Sequence, residues 1–318
     1  MTAEMKNNQL KAFISIDVDC MHGHTENYAG GRRQRGRDDR FIDISYQYWL
    51  PRYLDLLAEL NLRSTFFLVA DFARHVGNLP LIHRLVSAGH EVASHTLTHS
   101  VELCSFDLKD KAREIIDSKK ILEDLTGQPV IGHRGPGYAF DADIARLLLE
   151  NGYLYDSSVV PGYLFPLYKR VFRLYDRLIS GKAIVHPNSP PLVKRKPYVI
   201  LSENGRQLVE LPLNVLPLVP YPFISYVFTS IGKFRFMYNL IRKKTPLIIH
   251  TLHDFEFMDC GNPMEYAQSE AVDTIARQDL ASRLTMHRMI LTTLAKERRV
   301  ITAGEYVRDF LASDGSIG

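Results

Sequence analysis

The sequence predicts an α/β fold organised around a parallel sheet or barrel. Short apolar runs alternate with helix-period patterns almost from end to end, the 318 residues are enough for one large domain, and 46% of them are hydrophobic. Alternation of this kind is the signature of βα units, and a chain of this length can bury a substantial core.

Eight strands are expected, at Ala12 to Val18, Ser64 to Val69, Glu91 to Ser94, Val130 to His133, Tyr153 to Ser157, Gln207 to Leu213, Pro246 to Leu252 and Val300 to Thr302. Each is a short run bounded by polar or turn-forming residues, as a strand buried within a sheet requires. Helices fill the gaps. Tyr46, Trp49, Tyr53, Leu54, Leu57 and Leu60 recur at helical spacing, as do Ile115, Leu122 and Leu125 in a charged segment that Gly127 closes. A long helical pattern from about Ala271 to Glu297 precedes the last strand, and a short one from Glu305 to Leu311 follows it. Two segments depart from the alternation. His22 to Arg40, rich in Gly and Arg, reads as a long loop after the first strand, and such loops sit over the active site of a βα barrel. Pro161 to Arg206 mixes aromatics with Lys and Arg without a βα pattern and reads as an insertion.

A formal net charge of +3 lacks the basic excess of a dedicated nucleic-acid binder. Cys20, Cys104 and Cys260 are odd in number, far apart and without CxxC spacing, which fits a reducing compartment. Met1 to Lys11 is polar, without the apolar core of a signal peptide, so a cytoplasmic location is expected. Leu211 to Gly232 carries no charge and is long enough to raise the question of a membrane span. Pro212, Pro217, Pro220 and Pro222 oppose a helix there, so a strand running into a buried or substrate-lining loop is expected.

The chemistry concentrates at predicted strand ends. His95 and His99 are four apart after the apolar run Glu91 to Ser94; from one helix face, or from a strand-to-helix turn, both imidazoles can meet one metal ion. Imidazole favours zinc, iron, cobalt or nickel over magnesium. Asp17 and Asp19, two apart at the end of the first strand, point to the same side. One can bind the ion while the other takes a proton from water whose pKa the ion lowers. Arg134, in Gly132 to Tyr138, is placed to hold the free Asp by a charge-assisted hydrogen bond, and the neighbouring glycines let backbone amides approach a developing oxyanion. His250 and His253, three apart on one strand, point to opposite faces, so only one faces the pocket as a general acid. His22 and His24, beyond Asp19, are read as surface residues or substrate contacts.

In that order, Ile16-Asp17-Val18-Asp19, His95-Thr96-Leu97-Thr98-His99, Arg134-Gly135-Pro136 and Leu252-His253-Asp254 resemble the polysaccharide deacetylase family, the NodB-homology group of carbohydrate esterases, over about residues 11–310. The resemblance implies a distorted (β/α) barrel of about seven parallel strands and metal-dependent removal of an N-acyl group from a sugar. By position it makes Asp17 the catalytic base, Asp19, His95 and His99 the ligands of one divalent ion (zinc first, then cobalt, nickel, iron or manganese), Arg134 the tether of Asp17, and His253 the acid with His250 as fallback. Asp156 stands where relatives carry an Asp that orients the acid. Val18 separates two carboxylates that are adjacent in many members, as in the branch containing lipid-linked aminoarabinose deformylases and allantoinase-like amidases. Gly137 stands where other members place a tyrosine, keeping a backbone donor without the ring.

The expected protein is thus one cytoplasmic domain over 1–318, inserted at 161–206, that deacetylates or deformylates an amino sugar for cell-envelope biosynthesis. With no export signal, a nucleotide- or polyprenyl-phosphate-linked sugar fits better than finished wall polymer. Leu167 to Arg173 and Lys233 to Phe236, basic and aromatic, suit a diphosphate or peripheral contact with an anionic bilayer; no nucleic acid is expected. Two alternatives are an allantoinase-like amidase of small substrates and a catalytically silent sugar-binding module.

Overall fold

The structure, a computed structural model, describes residues 10–20, 43–161, 194–216, 223–225, 230–243, 245–266 and 278–314. The loop at 22–40 with His22 and His24, residues 162–193 of the insertion and the stretch Leu167 to Arg173 lie outside them.

Among the described residues nine strands form one curled, mostly parallel sheet. They are β1 (Lys11–Val18), β2 (Thr65–Leu68), β3 (Glu91–Ser94), β4 (Gly132–His133), β5 (Tyr155–Asp156), β6 (Tyr198–Glu203), β7 (Arg206–Glu210), β8 (Leu247–His253) and β9 (Arg299–Val300). The order is β6-β7-β5-β4-β3-β2-β1-β8, with β9 also on β1, and every pairing but β6 with β7 is parallel. The path does not return on itself, so the barrel is a half-barrel, the distorted α/β architecture expected. Two details differ from expectation. Eight strands, not seven, run parallel. The end of the 161–206 stretch also joins the sheet, because Asn204 and Gly205, both at positive φ (51° and 74°), turn β6 back onto β7. Asn-Gly between apolar runs is a strong hairpin signal, and it lay inside a segment read as insertion.

β1 explains how the molecule is layered. It is buried along almost its whole length, as a central parallel strand must be. Its alternate residues serve different clusters. Ile14, Ile16 and Val18 face the helices, packing with Trp49, Leu57, Leu85, Ile115, Leu122 and Leu148. Phe13 points into the curl with Phe67, Ala93, Ile131, Tyr155, Val209 and Ile249. The outer helices are α1 (Leu50–Glu59), α2 (Leu79–Ser87), α3 (Leu108–Thr126), α4 (Ala142–Glu150), α5 (Ile231–Ile241) and α6 (Leu280–Glu297). Asp107 caps α3 by accepting the Asp110 N–H at 2.8 Å, and Gly127, at φ 64°, ends it as expected. α6 starts at Leu280 with Asp279 as its cap, later than the predicted Ala271; residues 267–277 lie outside the described set.

One end of the curl is closed by α7 (Ala303–Asp314), whose Ala303 and Val307 enter the inner cluster. Its first amides donate to Thr65 Oγ1 and Glu91 Oε2, at the beginnings of β2 and β3, each at 2.9 Å. The closed end is therefore the N-terminal end of the strands, and the C-terminal ends remain to hold a site. The segment leaving β8 is fastened to α1 by Glu265, which accepts from Trp49 Nε1 at 2.9 Å and from both terminal nitrogens of Arg52 at 2.7 and 2.9 Å. A buried carboxylate needs such partners, and this set fixes the β8 exit relative to β1.

Candidate active site

Asp17, Asp19, His95, His99, Gly135, Gly137 and His253 converge at the C-terminal strand ends around a cavity of about 210 Å³, with Val101, Tyr138 and Phe255 as its less polar walls. Register accounts for much of this. Asp17 follows Phe13 and Ser15 on the inward face of β1, and β8 pairs Asp17 with His253. The same alternation turns His250 the other way, among the rings of Phe223 and Phe234, where burial pushes its imidazole down to about 3. Of the two histidines, His253 faces the pocket.

The His95 to His99 segment is neither a helix face nor a strand-to-helix turn. Thr96 and His99 adopt positive φ, 69° and 61°, a conformation that a β-branched threonine reaches only at a cost in strain. Glu114 of α3 holds the turn in place. Its carboxylate accepts the N–H groups of Leu97 and Thr98 at 3.0 and 2.9 Å and the Thr98 hydroxyl at 2.7 Å.

That turn places His95 Nε2 and His99 Nε2 each 3.2 Å from Asp19 Oδ1, with all three side chains buried. The His95 Nδ1–H donates to the Arg134 carbonyl at 2.7 Å, which fixes the ring and turns Nε2 toward Asp19. Burial opposes the charge on Asp19, yet His99 and His95 hold its carboxyl well below the usual carboxylate range. Tetrahedral zinc, with bonds of about 2.0–2.1 Å to nitrogen and oxygen, sets neighbouring ligand atoms roughly 3.3 Å apart. The 3.2 Å spacings fit one shared ion, and these are the three residues whose ligand atoms cluster within 4.8 Å. We expect His99→Ala to lose at least ~100-fold in zinc affinity while the fold persists, since loss of even an outer partner costs 10–100-fold; a competitive chelator titration checks it.

Arg134 is fully buried and donates from three nitrogens. Nη1 reaches Asp17 Oδ1 at 2.6 Å and Ser15 Oγ at 3.0 Å, Nε reaches the Ser157 carbonyl at 3.0 Å, and Nη2 reaches Ser157 Oγ at 3.0 Å. Its guanidinium also lies 4.1 Å from the centroid of the Phe67 ring. Asp17 thus has one oxygen fixed by Arg134, and the other lies 3.9 Å from His253 Nε2. Burial would depress the His253 imidazole, but Glu256, Asp19 and Asp17 overcome it and push it up to about 9, so it carries a proton at neutral pH in the metal-free protein.

Asp156 does not sit where an orienter of His253 should. It accepts from His133 Nδ1 at 2.7 Å and from the N–H and hydroxyl of Ser158 at 2.8 Å each. The charges acting on His253 are those of Glu256, Asp19 and Asp17. The physical reason is topological: four strands, β4, β3, β2 and β1, separate β5, which carries Asp156, from β8 in the sheet order. Ser158 Oγ in turn accepts the Gly135 N–H at 2.8 Å, so Asp156 braces the turn Pro136–Tyr138 instead. Glu210 beside it is pushed well up by burial and by Asp156. Gly135 has no room for a side chain, since a Cβ would overlap the Ala139 carbonyl; Gly137 has φ 56°. Both glycines are demanded by the backbone.

The polysaccharide deacetylase family profile matches residues 41–155, which include the His95–His99 turn and Arg134. Over that stretch the chain resembles the polysaccharide deacetylase family. A peptidoglycan deacetylase of Helicobacter pylori is 24% identical over 313 residues, covering 93% of this chain and 94% of that protein. A chitooligosaccharide deacetylase of Sinorhizobium fredii is 31% identical over 103 residues, 32% of this chain and 46% of that one. Against that relative, the match spans about half its length. Among solved structures, one from Mycobacterium smegmatis assigned to the polysaccharide deacetylases superposes with TM-score 0.61 at 20% identity, covering 97% of this chain and 92% of that one. An allantoinase superposes with TM-score 0.59 at 14% identity, covering 96% and 91%. These superpositions establish the fold.

Several residues that build the site escaped the sequence reading. Ser15, Ser157 and Phe67 hold Arg134, Glu114 holds the histidine turn, and Ser158 and Glu210 brace the glycine turn. Only Ser157 and Ser158 carried a local signal, as polar residues directly after an apolar strand.

Proposed function

We propose that this chain is a metal-dependent N-deacylase that removes a formyl or acetyl group from an amino sugar linked to a nucleotide or polyprenyl phosphate. The observation that carries the reading is the division of labour between the two carboxylates: Asp19 clusters with His95 and His99, while Asp17 is tied to Arg134 and left facing the cavity beside His253. A divalent cation held by Asp19, His95 and His99 supplies Lewis acidity and a water of lowered pKa. Asp17, aimed by Arg134, takes the proton from the attacking water. The Gly137 amide, in the turn braced by Ser158, is the donor for the oxygen that gains charge at the acyl carbon. His253 gives its proton to the departing amine.

A single domain acting in the cytoplasm, at the inner membrane face, suits such carriers. What supports this is limited and specific: no disulfide joins Cys20, Cys104 and Cys260, and α5 exposes Phe236 (65%) and Leu240 (43%) one turn apart beside Lys233 and Arg235. Among the described residues no helix is long and apolar enough to cross a membrane.

The test is a mass-shift screen of N-formyl and N-acetyl sugars on nucleotide and polyprenyl carriers, with zinc-loaded protein, with and without anionic vesicles. We expect deacylation of a carrier-linked sugar, faster with vesicles for the lipid carrier and abolished by chelation. Turnover of small ureides alone would replace this reading by that of an amidase.

A further inference from the structure

We propose that Glu256 is the positioning residue of the general acid, holding the His253 ring from behind the cavity. The inference rests on the deacylase reading above and assigns a role that Asp156 does not fill.

Glu256 belongs to the single helical turn Asp254–Phe257 that follows β8. Its Oε1 accepts the backbone N–H of His253 at 2.8 Å and lies 3.8 Å from His253 Nδ1, on the side of the ring away from the cavity. The nitrogen that faces Asp17 is Nε2. A carboxylate at the rear of the ring limits its rotation, leaving Nε2–H to point at the leaving group.

Glu256 is itself held from several directions. His287 of α6 places Nε2 3.7 Å from Oε2, and Arg283 donates to the Glu256 carbonyl at 2.6 Å. Burial opposes the charge on Glu256, but His253 and His287 hold its carboxyl below the ordinary value. Phe255 stacks on the His253 ring with centroids 5.1 Å apart and planes 22° from parallel, so one short turn supplies both the charge and the packing that aim the acid. The turn is closed by a reciprocal capping box, in which the Glu256 carboxylate takes the His253 N–H and the His253 side chain takes the Glu256 N–H, so the two residues hold each other in place.

The experiment uses two substrates that differ in their need for an acid. An N-acetylated chitooligosaccharide releases an amine that must be protonated as the C–N bond breaks. 4-Nitrophenyl acetate releases a phenolate that leaves without a proton. In zinc-loaded Glu256→Gln we expect kcat for the amide to fall about 100-fold, the low end of what general acid catalysis supplies, with KM and the ester rate within a factor of ~3. His253→Ala should show the same split, and the double variant no further loss, because the two act as one unit. The ester rate also reports that fold and metal survive. Equal losses on both substrates, or additive losses in the double variant, would overturn the positioning role while leaving the deacylase reading intact. Wild-type protein that cleaves the ester but none of the N-acyl sugars tested, free or carrier-linked, would overturn the deacylase reading and this role with it.

Discussion

Zinc-loaded Asp17→Asn is expected to bind its ion as tightly as the wild type and to lose turnover of N-acyl sugars by ~10³-fold, within the range that a positioned base supplies. The substitution is nearly isosteric. Asn keeps an oxygen for the Arg134 Nη1 that donates to Asp17 at 2.6 Å, and Arg134 retains Ser15 and Ser157 as further acceptors, so the pocket keeps its shape. What disappears is the basic lone pair beside the cavity. Asp19, His95 and His99 are untouched, so metal content per protein, measured on the same sample as kcat, separates the two effects. Retained turnover, or loss of metal, would remove Asp17 from the role of base.

The largest expected effect on stability comes from Arg134→Met. The arginine is fully exposed to protein and not to water, and it is the charge partner of a carboxylate that is itself only 2% exposed. Methionine fills much of the same volume over the Phe67 ring but offers no donor, leaving Asp17 as a buried charge without its partner. Removing one member of a buried ion pair costs about 3–5 kcal/mol, and the Ser15 and Ser157 groups add to that by losing their donor. A lowered urea midpoint at unchanged m-value checks the prediction. The double variant Arg134→Met with Asp17→Leu should recover part of the loss, because both partners are then apolar. If it does not, the cost lies in the Ser157 contacts and not in the ion pair.

How much of this could be read from the chain alone differs from element to element. β1, β2, β3 and β8 were legible because strands buried on both sides carry near-continuous apolar runs, and α3 because its cap and closing glycine bracket a periodic segment. β6 was not, since its Asn204-Gly205 turn sits at the end of a long segment without βα rhythm. The pair Asp17 and Asp19 could be placed on one side by strand parity, and His250 and His253 on opposite sides by the same rule. The conformation of the histidine turn could not, because Thr96 and His99 take positive φ only under restraint from Glu114, fifteen or more residues away.

The chain by itself determined the α/β class, the order of the strands along the sequence and the identity of the reactive side chains, since these follow from hydrophobic periodicity and from the chemistry of each residue. Only the tertiary structure decided which carboxylate stands behind which histidine. Asp156 and Glu256 are equally acidic on paper, but sheet order puts four strands between β5 and β8, while a single turn after β8 brings Glu256 to within 3.8 Å of His253. Glu256 is a local partner, three residues on; excluding Asp156 needs the sheet order, which depends on the whole fold at once and which no local pattern carries.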